Sequence, residues 1–153
     1  MRSVTADSPN TPSADQVLSV HRSLAAAGIP HAIGGAIALG HYAAPRPTPD
    51  IDVNVFVPPQ RRPEVEAVLA SLPHRDQVHL FFSEDALHDA MPAAVREIPW
   101  AGETIPLVAP EHLIVRKAIL DRPKDRVDIE AILGADDELD LGEVDYWVKR
   151  LRA

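Results

Sequence analysis

A chain of 153 residues, 46% of them apolar and 25% charged, has the length of one domain and excludes collagen-like and wholly disordered classes. The absence of cysteine excludes a disulfide scaffold, thiolate metal sites and cysteine nucleophiles, and it fits a reducing, cytoplasmic compartment. With 15 basic against 23 acidic residues the formal charge is −8, which repels a nucleic-acid backbone at long range, and no stretch approaches the roughly 20 apolar residues of a membrane span.

Residues 1–12, rich in Ser, Thr, Asn and Pro, have almost nothing to bury and are expected to form an unstructured leader before one domain over 13–153. From Ser13 or Asp15 the apolar stripe Val17, Leu18, Val20 and Leu24 predicts a helix stopped by Gly28. His31–Ile33 reads as a short strand, Gly34-Gly35 as a turn, and Ala36–Tyr42 as a helix. Pro45, Pro47 and Pro49 forbid regular structure until a strand at Asp50–Val57. Arg61–Leu72 predicts a helix, Gln77–Phe82 a strand and Glu84–Met91 a short helix. Val95–Trp100 and Thr104–Val108 predict a hairpin turned at Ala101-Gly102. Helices follow from Pro110 to about Leu120, from Lys124 to Leu133 with a stop at Gly134, and along a face carrying Leu141, Val144, Val148 and Leu151. Strands separated by helices, with a late hairpin, give an α+β or mixed α/β class: a small mixed sheet flanked by helices, with a helical C-terminal part.

The chemistry concentrates in two places. On the strand beginning at Asp50, alternation sends Ile51, Val53, Val55 and Val57 to one face and Asp50, Asp52 and Asn54 to the other. Two neighbouring carboxylates repel unless a cation lies between them, and hard oxygen donors at this spacing suit Mg²⁺; a solvated strand end is the plainer alternative. Gly34-Gly35, between strand and helix, leaves bare backbone N–H groups able to approach an anion, or else makes a tight turn. It is neither a Walker A loop nor a Gly-x-Gly-x-x-Gly fingerprint. Further on, Arg116, Lys117, Arg122, Lys124 and Arg126 crowd into eleven positions, either as a solvated helix face or as a holder of anionic ligand. The aromatic residues are scattered, which suits core packing better than a base-stacking platform, and the remaining histidines show no zinc-binding spacing.

Taken together, Ile33-Gly34-Gly35, fourteen residues, and Asp50-Ile51-Asp52-Val53 resemble the signature of the nucleotidyltransferase superfamily: a hydrophobic residue, Gly-Gly or Gly-Ser, a spacer, and two acids around a hydrophobic residue on the next strand. More narrowly, Arg46-Pro47-Thr48-Pro49-Asp50-Ile51-Asp52, with Pro110-Glu111-His112-Leu113, Lys117, Arg122-Pro123-Lys124-Asp125 and Asp128-Ile129, is similar to stand-alone bacterial AbiEii-like proteins. The resemblance covers roughly residues 29–134. It implies transfer of a nucleoside monophosphate from an NTP to an acceptor hydroxyl on a protein, an RNA or a small molecule. Asp50 and Asp52 would ligate Mg²⁺, with Mn²⁺ as substitute, and Gly34 and Gly35 would hold phosphate. Thr48 would add a hydroxyl, and Arg46 and Lys117 would face the triphosphate unless each is taken up in an ion pair. The departure is Val78-His79-Leu80-Phe81-Phe82, where His79 stands in place of the third carboxylate that the superfamily pattern expects. Neutral imidazole is a poor Mg²⁺ ligand, which puts full two-metal chemistry in doubt, although His79 could serve as a general base. Asp76, Glu84 or Asp85 could replace the acid only in another strand register. The alternative function is an inactive nucleotide-binding or protein-interaction module, such as half of a toxin–antitoxin pair. The short chain leaves little room for an acceptor-binding domain, which favours a homodimer or partner protein completing the site.

Overall fold

The computed structural model describes residues 11–153, so the expected leader lies outside the described residues apart from Thr11 and Pro12. Helix α1 (Ala14–Ala26) starts where Ser13 and Gln16 form a reciprocal capping box: Gln16 N–H donates to Ser13 Oγ at 3.1 Å, and Ser13 N–H to Gln16 Oε1 at 2.8 Å. Gly28, with φ of +70°, lets the chain turn into strand β1 (His31–Ile33). Helix α2 (Gly35–Tyr42) follows, then β2 (Ile51–Val55), α3 (Arg62–Leu69), β3 (Val78–Phe82), α4 (Ala86–Ala90), β4 (Arg96–Trp100), β5 (Glu103–Leu107), α5 (Pro110–Leu120), α6 (Pro123–Ala135) and α7 (Leu141–Arg152).

The sheet is mixed and ordered β3-β2-β1-β5-β4. Strand β1 runs antiparallel to β2 and parallel to β5, and β2 runs parallel to β3. The hairpin β4–β5 turns through Ala101 and Gly102, both at positive φ, as the sequence predicts. The α+β class is therefore the observed one. Most elements differ from their expected bounds by one to three residues, β2 for example ending at Val55 and not at Val57, and three of these differences have a local cause. Strand β2 begins at Ile51 because Asp50 N–H donates to Thr48 Oγ1 at 3.2 Å instead of to a neighbouring strand. Pro123 opens α6, at a first helical position where no N–H is needed, and Gly134 lies inside that helix, which ends one residue later.

One hydrophobic cluster runs through the molecule, formed by Leu18 and Leu24 of α1, Ile51, Val53 and Val55 of β2, Ile105 and Leu107 of β5, and Ile114 and Val115 of α5. Helix α1 packs on α3, α2 packs on β2, α5 and α6, and α7 packs on α5. No helix among the described residues is long and apolar enough to cross a membrane.

Candidate active site

Strand β2 alternates as its sequence dictates: Ile51, Val53 and Val55 are fully buried, while Asp52 and Asn54 are half-buried on the opposite face. On that face the glycine turn meets the acids. Gly34 N–H donates to the Asp52 carbonyl at 2.9 Å, and the Asp52 side chain lies against the Cα of Gly35. A Cβ at position 35 would overlap the Asp52 carboxylate and lie 2.7 Å from its Cγ. Gly35 also has φ of +56°, so position 35 is closed to other side chains by both conformation and space. The first backbone hydrogen bond of α2 is made by Ala38 N–H to Gly34, which leaves the N–H groups of Gly35, Ala36 and Ile37 ahead of the intrahelical ladder.

The register of β2 with β3 pairs Asp52 with His79, placing the imidazole on the same face as the carboxylates. His79 Nε2 is 3.1 Å from Asp50 Oδ1. Asp76 lies outside the strand, in the 3₁₀ turn Arg75–Gln77, whereas Glu84 and Asp85 line the same cleft as Asp50 and Asp52 farther along. Burial, and after it the neighbouring charge of Asp50, pushes the Asp52 carboxyl above the usual aspartate range, against smaller opposing effects of His79, Lys117 and Lys124. Among the described residues no protein group donates a hydrogen bond to the Asp52 side chain, and no third acid or histidine completes a metal-binding cluster there. Two hard oxygen donors, one half-buried and short of positive charge, fit a divalent cation that keeps water and substrate in its other positions.

These groups open onto a cleft of roughly 670 Å³, within the range of small-molecule sites. One wall is Gly34, Gly35, Asp50, Asp52, Asn54 and His79; the other is supplied by α5 and α6, with Arg116, Lys117, Arg122 and Lys124. The cations are unequal. Arg116 forms a two-pronged pair with Asp85 at 2.8 and 2.9 Å, and Arg122 is bound to the buried Asp125 at 2.6 Å. Lys117 Nζ lies 2.9 Å from Asp128 and 3.7 Å from Asp125. Arg46 is not in the cleft lining; its guanidinium forks onto Asp128 at 2.6 and 3.0 Å. Of the two alternatives open for Arg46 and Lys117, both make the ion pair. Thr48 spends its hydroxyl on the turn before Asp50. Lys124, by contrast, is exposed, lines the cleft, acts electrostatically on Asp52 and has no ion-pair partner among the described residues. The sequence marks it as part of a basic run and of the AbiEii-like string, with no role of its own. Phe81, for which the sequence favours core packing as for the other aromatics, stands 48% exposed on the cleft side of β3.

This geometry has solved counterparts. The antibiotic-resistance factor ANT(2'')-Ia in solution superposes with a TM-score of 0.62 at 18% identity, over 91% of this chain and 90% of that one. An antigenic nucleotidyltransferase-like protein from Paracoccidioides brasiliensis gives 0.57 at 16% identity, over 90% and 87%. The fold is nucleotidyltransferase-like. ANT(2'')-Ia in complex with adenylyl-2''-tobramycin gives 0.56 at 16% identity, over 91% and 96%. At these identities the likeness establishes the nucleotidyltransferase-like fold alone. No protein-family model matches the sequence, and no curated protein matches it.

Proposed function

We propose that residues 13–153 form one AbiEii-like nucleotidyltransferase domain that binds an NTP with a divalent cation in this cleft and transfers a nucleoside monophosphate to an acceptor hydroxyl. The observation that supports the proposal is the packing of the Asp52 carboxylate directly on Gly35, which brings a carboxylate and the N–H groups that open α2 together. Asp50 and Asp52 would hold Mg²⁺ or Mn²⁺, which when bound neutralises charge on the triphosphate and its pyrophosphate leaving group. The N–H groups that open α2 would bind phosphate oxygens, and Lys124 would supply the mobile positive charge of the facing wall. In the transfer, the acceptor oxygen bonds to the α-phosphorus, the bond from that phosphorus to the bridging oxygen breaks, and pyrophosphate leaves. His79, donating through Nε2 to Asp50, keeps Nδ1 free to take the acceptor's proton.

Incubation with each labelled NTP, Mg²⁺ or Mn²⁺ and protein, RNA or aminoglycoside acceptors should release pyrophosphate, and Asp52→Asn should abolish the release. Persistent release in Asp52→Asn would remove Asp52 from the chemistry. Tight Mg-NTP binding without turnover would favour the inactive-module function that His79 motivates, including a toxin–antitoxin role; a gain of turnover in His79→Asp would trace the deficit to the missing acid.

A further inference from the structure

Asn54 is the third polar residue on the site face of β2, and nothing in the proposed chemistry so far uses it. Its Oδ1 lies 3.1 Å from His88 Nε2, and His88 Nδ1 lies 3.0 Å from Ser83 Oγ. His88 is 2% exposed, and burial lowers its basicity, so it is neutral and carries one ring proton. A carbonyl oxygen only accepts, so that proton is on Nε2 and is donated to Asn54; Nδ1 then accepts from the Ser83 hydroxyl. The relay therefore runs one way, from Ser83 through His88 to Asn54, and turns the Asn54 amide so that Nδ2 faces away from His88. Nδ2 lies beside Gly34: a Cβ at position 34 would be 2.7 Å from it. Asn54, Gly34 and His88 all line the cleft, and among the described residues the Asn54 side chain makes its hydrogen bond through Oδ1 to His88, with none donated by Nδ2.

We propose that Asn54 is a phosphate-binding residue of this cleft, its Nδ2 donating to an oxygen of a phosphate group held at Gly34 and Gly35, and that Ser83 and His88 are positioning residues which fix the orientation of its amide. This rests on the nucleotide-binding function proposed above. A neutral donor suits the place: beside Asp50 and Asp52, an aspartate at position 54 would add a third anion against the phosphates, whereas an amide adds attraction without charge.

The test uses the full chain and two separate ligands, Mn²⁺ alone followed by electron paramagnetic resonance, and Mg-ATP followed by calorimetry. Asn54→Ala should weaken Mg-ATP by about tenfold, the loss expected for one hydrogen bond to a charged group, and leave the affinity for Mn²⁺ alone unchanged. Asn54→Asp should weaken Mg-ATP further. Ser83→Ala should cost several-fold in Mg-ATP affinity in the otherwise native chain and nothing more when combined with Asn54→Ala, a coupling that a merely structural role would not produce. Unchanged Mg-ATP affinity in Asn54→Ala overturns the proposal, as does a Ser83→Ala loss that persists in the double variant. Should Asn54→Ala fail to fold, Ser83→Ala alone decides, with an unchanged Mg-ATP affinity counting against. A native chain that binds Mn²⁺ but not Mg-ATP, or neither, overturns the nucleotide-binding function itself, and this proposal with it.

Discussion

Ionising Asp52 carries a cost to the fold. Burial and the charge of Asp50 raise its folded-state pKa above the unfolded value, so the folded chain takes up this proton more readily than the unfolded one. The penalty is present in full above the raised pKa and is relieved as pH falls through it. Asp52→Asn should therefore stabilise the metal-free protein at neutral pH while removing Mn²⁺ binding; denaturant melts and metal titrations of the same samples check both halves. In the native chain, Mn²⁺ affinity should begin to fall at a pH above the ordinary aspartate range, because the ligand must be deprotonated. The adjoining glycine works in the opposite sense. Gly35→Ala meets both the positive φ and the Asp52 carboxylate, and it should cost about 2 kcal/mol or more, read from its urea midpoint. The aspartates and glycines were legible in the sequence because period-two alternation and the glycine pair are local signals. Lys124 and Asn54 were not singled out, since the value of each depends on what distant side chains leave unpaired.

Between elements, the decisive contact is the one that occupies Arg46 and Lys117. Arg46 belongs to the proline-rich stretch leading into β2, Lys117 to α5 and Asp128 to α6, and the buried Asp128 carboxylate binds both cations. The connection that delivers Asp50 is thus tied to the helices that form the facing wall. Asp128→Ala would strand Lys117, itself 9% exposed, beside Asp125 alone, and should destabilise the protein by about 3 to 5 kcal/mol in chemical denaturation. The sequence left ion pair and triphosphate contact equally open for both residues, because 82 positions separate Arg46 from its partner and no periodicity spans them. Helix ends are legible where a cap or proline marks them, as at Ser13 and Pro110, and not at Gly134, an exposed glycine with no neighbour within 4 Å of its Cβ position, which α6 passes by one residue.

At the scale of the molecule, the order of strands and helices along the chain follows from hydrophobic periods and turn residues, and the sheet order β3-β2-β1-β5-β4 does not, since it depends on which backbones pair at long range. The last helix is joined to the rest by such a long-range contact: Glu143 Oε2 accepts from Trp147 Nε1 at 3.0 Å within α7 and lies 3.0 Å from Nε2 of the buried His112 of α5. Glu143→Ala leaves both nitrogens without that acceptor, whereas Trp147→Phe removes one donor together with its need; the first should be the more destabilising by about 1 to 3 kcal/mol, compared by thermal melts. The central strand is also the shortest: β1 has three residues, and a single pair, Ile33 with Leu107, joins it in register to β5. The two leaves of the sheet, β3-β2 and β5-β4, are stitched along a seam barely one peptide wide, and the chain leaves that seam at Gly34. The turn proposed to hold phosphate therefore begins where the sheet is most narrowly paired.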